Sequence, residues 1–169
     1  YEFAVAVDDF TVSHDAECDV CAGRVLGDDE MQLLNAQITT AEILNCVKNM
    51  SNGKAPGVDG VVTEMIKCSA SITVPYLKHL YNKVLTTGNF PKEWCQAVLS
   101  PLHKKGIKSD PNNYRGIALL SVLGKIFTKI INNRLVTWME QCTLQREEQA
   151  GFRKGYRTVD NIFILQSLI

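Results

Sequence analysis

Two basic side chains between glycines have the types and the spacing that best suit the binding of phosphate groups. Arg153 and Lys154 lie between Gly151 and Gly155. Because glycine lets a main chain approach a phosphate closely, we predict that these two cations contact the backbone of a polyanion. An ordinary exposed turn is the alternative. Lys54, in a loop rich in Pro and Gly, is a weaker candidate for the same contact.

Two adjacent carboxylates form a second candidate arrangement. Asp8 and Asp9 follow the apolar residues 4–7, so a strand could present both carboxylates to a divalent metal. A solvated turn is the interpretation that we favour. The acidic run at 28–30 is likewise expected to be solvated, just before a helix.

Cysteine spacing gives a weak indication of a metal site. Cys18 and Cys21 form a C-x-x-C pair with His14 nearby. A structural zinc site needs four ligands, and no fourth lies close in the sequence, so we expect no metal here. The remaining cysteines lie in apolar segments and are expected to be buried free thiols, which pack as small hydrophobes: Cys46, Cys68, Cys95 and Cys142.

Charge is distributed unevenly along a chain whose net charge is zero. Residues 1–42 carry ten acidic side chains and one basic one, whereas residues 43–169 carry eight acidic and seventeen basic ones. The second part, with a net charge of +9, is a candidate polyanion binder, and a merely solvated surface is the alternative.

Length and composition favour one folded domain, because 169 residues with 46% apolar side chains can form a core. No apolar run approaches the ~20 residues that span a bilayer, and no basic segment of a signal peptide opens the chain. We therefore expect an intracellular protein without a membrane partner. Because the chain begins with Tyr1 and ends inside the apolar run 162–169, we also expect it to be cut at both ends.

Capping signals and periodicity predict the first helices. Residues 39–42 have the spacing of a capping box, and the apolar residues after them recur at helical spacing until Gly53 ends the helix. Two more helices are predicted over 63–68 and 73–87, with Pro75 in the first turn of the longer one. Residues 1–36 look irregular, so order is expected to begin near position 39.

The second half is predicted to contain a β-hairpin and a long helix. Apolar runs of strand length lie within 94–105 and at 114–120, joined by a polar loop, and Pro101 makes the first of them an edge strand. Ser121 is then predicted to cap a helix over roughly 122–141. Three of its polar side chains are expected on the solvent-facing side: Lys125, Lys129 and Arg134. Thr158 is predicted to cap a last helix.

Three separated sequence blocks occur in a distinctive order. The first reads GKAPGVDG over 53–60 and is followed by Glu64 and Lys67. The second reads NYRGIALLS over 113–121, and GKIF and IINNRL follow it. The third reads QAGFRKG over 149–155, with Thr158 and Asp160 after it.

In this order and with this spacing, the blocks resemble those of LINE-type (non-LTR) retrotransposon reverse transcriptases, which read GKAPGPDG, NYRPISLLS and QxGFRKG. Val58 and Gly116 stand where the family usually has proline, and Tyr156 and Arg157 replace its usual Arg-Ser. The resemblance implies an α+β fold, the helix-rich fingers and partial palm of a right-hand polymerase with a β-hairpin. It divides the chain into a variable, mobile linker over 1–37 and the N-terminal portion of the polymerase domain over 38–169.

The resemblance also implies roles for the cations. In this family the fingers hairpin closes over the incoming nucleotide, whose phosphates would be bound by Lys104, Lys105 and Arg115. Contacts with the nucleic acid are expected from Lys54, Arg153 and Lys154. The implied partners are an RNA template, a DNA primer, a dNTP and the palm and thumb of a longer parent chain.

The catalytic carboxylates of this family follow the third block, so no catalytic or metal-binding residue is expected in this chain. Asp8 and Asp9 precede the first block and do not match them. We therefore expect Mg²⁺ only in a full-length parent, and no polymerisation by these residues alone. A non-enzymatic nucleic-acid-binding module and a non-functional retroelement remnant are the alternatives.

Overall fold

The computed structural model describes residues 27–142, 149, 151, 155 and 157–168, and these residues form an α+β fold. Asp8, Asp9 and the Cys18–Cys21 pair lie outside them. The elements, in chain order, are α1 (Asp28–Asn35), α2 (Thr40–Lys48), α3 (Thr63–Cys68), α4 (Ala70–Thr87), β1 (Ala97–His103), β2 (Tyr114–Leu120), α5 (Val122–Gln141) and α6 (Thr158–Leu168). Short 3-10 turns cover Lys92–Trp94 and Pro111–Asn113.

Helix α1 corrects the expectation of irregular chain before residue 37. The run at 28–30 lies in its first turn rather than ahead of a helix. The Glu30 carboxylate accepts a hydrogen bond from the Gly27 N–H at 3.0 Å, which satisfies a free donor at the helix start. Because α1 packs against α5, tertiary contact stabilises a segment whose polar sequence suggested a loop.

The predicted capping box at the start of α2 is confirmed. The Thr39 N–H donates to Glu42 at 2.8 Å, and the Glu42 N–H donates to the Thr39 hydroxyl at 3.2 Å. The predicted end of α2 is wrong, because the helix ends at Lys48 and Gly53, with a φ of +69°, lies in the loop beyond it.

Helix α4 begins earlier than predicted, so Pro75 lies inside it and not in its first turn. The Ser69 carbonyl accepts the N–H groups of Ile72 and Thr73, both at 2.9 Å, which starts the helix directly after α3. Gly88 ends α4 with a φ of +71°, a left-handed conformation that glycine adopts without steric cost.

The core lies between α2, α4 and α5. Its fully buried side chains include Ile43, Tyr81 and Ile126, and Ile38 joins them from the segment between α1 and α2. Four aromatic rings pack at one end of this core with centroids 5.5 to 6.2 Å apart: Tyr81, Phe90, Trp94 and Phe127.

The cysteine prediction is correct for Cys46, which is buried as a free thiol, and burial raises its pKa. It is wrong for Cys68 and Cys95, which are exposed, while Cys142 is half-buried. Whether a cysteine is buried depends on whether its position faces the core, and apolar neighbours in the sequence do not determine that.

The predicted last helix is present as α6, but Thr158 is its first residue and not the cap before it; the Arg157 N–H donates to Asp160 at 2.7 Å in the first turn. Its apolar side chains are exposed, among them Val159, Ile162, Phe163, Ile164 and Leu165. Among the described residues, no helix has the length and apolar character required to cross a membrane.

Candidate functional site

The predicted β-hairpin is present, and it carries three of the candidate cations. Strands β1 and β2 pair antiparallel, with Leu102 opposite Arg115 and His103 opposite Tyr114. The Lys104 N–H extends the pairing by donating to the Asn113 carbonyl at 2.7 Å. Since side chains alternate between faces, Lys104 and Arg115 lie diagonally on one face of the hairpin.

Side-chain contacts hold the tip of the hairpin together. The rings of His103 and Tyr114 pack with centroids 5.3 Å apart, and the Tyr114 hydroxyl donates to the Lys108 carbonyl at 2.9 Å. Asp110 caps the turn at Pro111–Asn113 by accepting the Asn112 N–H at 2.9 Å. The segment that presents Lys104 and Lys105 is therefore ordered by its own contacts.

The hairpin cations are available for a ligand. Lys104, Lys105 and Arg115 are all exposed. Within the described part of the chain, Arg134 and Glu42 form an ion pair, and no carboxylate is paired with a hairpin cation. The apolar side chains Leu102 and Ile117 on the same face are also largely exposed. This surface combines positive charge with accessible apolar area.

The GKAPGVDG loop presents Lys54 between two anchored ends. The Glu64 carboxylate accepts a hydrogen bond from the Gly53 N–H, and this bond lowers the pKa of Glu64. The Lys67 ammonium donates to the Met50 carbonyl at 2.6 Å and to the Asn52 side chain at 2.7 Å. Glu64 and Lys67 therefore hold the start of the loop, whereas the Lys54 side chain is exposed.

The far side of this loop packs against the root of the hairpin, the place where β2 ends at Leu120 and Ser121 follows. The Ser121 hydroxyl donates to Asp59 Oδ2 at 2.6 Å, and Asp59 Oδ1 accepts the Val61 N–H at 3.2 Å. Ser121 also caps α5, as predicted, by accepting the Gly124 N–H at 3.5 Å. Two of the three sequence blocks thus meet in one partly buried contact, which the sequence did not reveal.

Arg134 corrects another prediction, because it is buried and does not lie on the solvent-facing side of α5. Its guanidinium donates to both carboxylate oxygens of Glu42 and to three main-chain carbonyls, one in the last turn of α1 and two in the segment between α1 and α2. Burial opposes ionisation of Glu42, but the hydrogen bonds from Arg134 and Thr39 outweigh it and lower the pKa of Glu42. The spacing of four from Ile126 to Ile130 to Arg134 was an available signal, since such positions share one helix face.

Two of the candidate cations lie outside the residues that the structure describes, namely Arg153 and Lys154. Their assignment to nucleic-acid contact stays a prediction. In the described ranges, no group of three or more His, Cys, Asp or Glu side chains is arranged to hold a metal ion.

Curated relatives connect these features to a family. Over 134 residues, or 79% of this chain, the sequence is 34% identical to the probable RNA-directed DNA polymerase from transposon BS of Drosophila melanogaster. It is 32% identical over 122 residues, or 72% of the chain, to the probable RNA-directed DNA polymerase from transposon X-element of the same species. It is also 32% identical over 134 residues to the RNA-directed DNA polymerase from mobile element jockey. No protein-family model matches the chain.

This chain is thus related to the reverse transcriptases that transposable elements encode. Within that class it belongs to the non-LTR, LINE-type family, as the three sequence blocks implied. It spans only about 15% of the length of the transposon BS and jockey proteins. The similarity therefore concerns one segment of a much longer polymerase.

Proposed function

We propose that this chain is the fingers and partial palm of a right-hand RNA-directed DNA polymerase, and that it binds template–primer and the phosphates of an incoming dNTP. The observation that carries the proposal is the hairpin, which presents Lys104, Lys105 and Arg115 on an exposed surface. The names of the three relatives given above, each an RNA-directed DNA polymerase, supply the substrate class.

The chemistry of these side chains suits a triphosphate. An Arg guanidinium can donate to two phosphate oxygens at once, whereas a Lys ammonium provides a compact positive charge. Cations in such positions offset the negative charge that develops on the leaving pyrophosphate. Arg115, held in β2 opposite Leu102, is the best-positioned of the three because its main chain is fixed by the hairpin.

Nucleotidyl transfer itself requires carboxylates that hold two divalent ions. In the full-length parent, Mg²⁺ would be bound by aspartates that follow the third sequence block. We propose that these 169 residues bind substrate without extending a primer. A primer-extension assay with Mg²⁺ on the purified chain tests this, and incorporation of nucleotide would contradict it.

Binding is tested with a labelled RNA–DNA hybrid and, separately, with a fluorescent dNTP. Replacing Arg115 by Ala should weaken dNTP binding, and Arg115→Lys should restore part of it. Lys78→Ala, which removes the same charge from the exposed surface of α4, is the matched control and should have little effect. Equal losses for Arg115→Ala and Lys78→Ala would show that only overall charge matters.

Salt dependence separates phosphate contact from other effects. Each cation that neutralises a phosphate adds about 0.7 to 0.9 to the slope of log affinity against log salt. The double variant Arg153→Ala/Lys154→Ala should therefore lower the slope for the hybrid, and so should Lys54→Ala to a smaller extent. Salt-dependent hybrid binding without any dNTP binding would favour a non-enzymatic nucleic-acid-binding module, whereas an unchanged affinity and slope in these variants would count against the assigned surface.

A further inference from the structure

We propose that Asp59 and Ser121 are positioning residues, whose partly buried hydrogen bond fixes the Lys54 loop to the root of the hairpin. The bond would hold two cation-bearing elements in one mutual arrangement. Its consequence for substrate binding rests on the proposed function, but the arrangement itself can be measured without any substrate.

The hydrogen bond has the features of a fixed contact. Ser121 is 1% exposed, and its hydroxyl lies 2.6 Å from Asp59 Oδ2. The second oxygen of Asp59 accepts the Val61 N–H, which keeps the carboxylate turned towards α5. Because water is excluded from Ser121, loss of its partner would leave a buried hydroxyl with fewer hydrogen bonds.

Gly57 brings the same loop into direct contact with the end of β2. A Cβ atom at Gly57 would lie 2.5 Å from the Ser121 nitrogen and 2.6 Å from the Leu120 carbonyl carbon. Any side chain there would push the loop away from the hairpin. The contact is therefore between main chains, with no flexible side chain to absorb a shift.

Because the contact lies at the root of the hairpin, it determines where the cations at the tip of the hairpin lie. Strand β2 is seven residues long and ends at Leu120, directly before Ser121. At about 3.3 Å per residue, the tip of the hairpin lies roughly 20 Å from this root. A small change of angle at the root would therefore move Lys104 and Lys105 by a large distance relative to Lys54.

The arrangement is tested by measuring a distance between two spin labels. Ala55 and Lys108 are both exposed, and neither belongs to the proposed binding residues. Cysteines introduced at these positions, in a chain whose native cysteines are replaced, report the separation of the loop from the hairpin tip by pulsed EPR. We expect one narrow distance distribution in the otherwise unchanged chain.

Removing the hydrogen bond should broaden that distribution. Ser121→Ala and Asp59→Ala are expected to broaden it, whereas Asp59→Asn, which retains a hydrogen-bonding side chain, should keep it narrow. Ser71→Ala, at an exposed position of α4, is the control. A narrow, unshifted distribution in both Ala variants would overturn the proposal, whatever their effect on binding.

A second variant keeps the test decisive if the Ala variants fail to fold. Gly57→Ala retains the Asp59 and Ser121 side chains but forces the main chains apart, so it should shift the mean distance. No shift in a folded Gly57→Ala chain would contradict the proposed contact.

The affinity for the RNA–DNA hybrid then tests whether the arrangement of the loop and the hairpin matters for binding. Affinity should fall about fivefold in Ser121→Ala and in Asp59→Ala, and it should stay close to that of the unchanged chain in Asp59→Asn, following the width of the distance distribution. A broadened distribution with unchanged hybrid affinity would overturn the functional part of the inference. If the unchanged chain does not bind the hybrid at all, the proposed function fails, while the distance measurements still decide whether Asp59 and Ser121 fix the loop.

Discussion

Arg134 binds both carboxylate oxygens of Glu42, a residue 92 positions earlier, with distances of 2.8 Å from Nε and 3.1 Å from Nη2. The remaining donors of its guanidinium reach the carbonyls of Leu34, Ala36 and Gln37. One side chain of α5 thus satisfies main-chain acceptors at the end of α1 and fixes the start of α2. The segment before the polymerase-like blocks is consequently part of the folded structure at residues 34–42.

Replacing Arg134 by Ala should therefore destabilise the chain strongly. Removing the buried guanidinium leaves a partly exposed carboxylate and three carbonyls without their donor, and each buried group left in this way costs about 1–3 kcal/mol. Arg134→Lys should recover only part of the loss, because an ammonium cannot reproduce the planar set of donors. Urea unfolding measures both, and Arg115→Ala is the matched control for an exposed Arg. A loss below 1 kcal/mol for Arg134→Ala would be inconsistent with this structure.

The Glu42 carboxylate should make the free energy of unfolding depend on pH. Its pKa in the folded chain lies below the ordinary value of 4.5, so its contribution is present above that pH and is lost as pH falls through the folded pKa. The stability difference between the unchanged chain and Glu42→Gln should shrink as the pH falls from about 5 through the lowered pKa of Glu42. Urea unfolding across this range measures it. A difference that stays constant with pH would argue against the Arg134–Glu42 pair in solution.

The cysteines should differ in reactivity towards a thiol reagent. Cys68 and Cys95 are exposed and should be labelled quickly, whereas Cys46 is buried with a raised pKa and should react slowly. Mass spectrometry of the labelled peptides identifies each site. Unfolding in urea should equalise the rates, and rapid labelling of Cys46 in the folded chain would contradict the packing of α2.

Phe127 is expected to be the most sensitive member of the aromatic cluster. It is buried and contacts the rings of Tyr81, Phe90 and Trp94. Phe127→Ala should cost about 3–5 kcal/mol, the range for a buried Phe. Phe90→Ala should cost much less, because Phe90 is half exposed. Thermal or urea unfolding compares the two, and similar losses would be evidence against the described core.

Helix α6 should open before the rest of the chain. Its apolar side chains are exposed, so little packing protects its amides from exchange. Hydrogen exchange followed by mass spectrometry should show early deuteration at 158–168 and late deuteration in α5 around Ile126 and Ile130, which are buried. Equal protection of the two helices would indicate that α6 packs on a surface in solution.

The local elements could be predicted because their signals are local. The capping box at 39–42, the two strands of the hairpin and the Ser121 cap each depend on neighbouring residues, and the structure confirms them. Helix α1 and the start of α4 were missed because contact with other elements stabilises or extends those helices beyond what their sequence indicates.

Contacts between side chains that are far apart in the sequence could not be predicted from local patterns. Ser121 and Asp59 are 62 residues apart, and neither residue type indicates a buried partner. Arg134 was assigned to solvent because Arg is seldom buried, although its spacing from Ile130 placed it on the buried face. The hairpin cations were identified from a family resemblance and not from any local pattern.

The contact of Gly57 with Leu120 and Ser121 also has a consequence for protein engineering. In a chimera that takes only residues 53–60 from a related element, the loop of one parent would have to pack against the end of β2 from the other parent. Exchanging 53–60 together with 120–124 keeps both sides of the contact from one parent. We therefore expect a chimera to fold better when these two segments are exchanged together, although 59 residues lie between them in the chain.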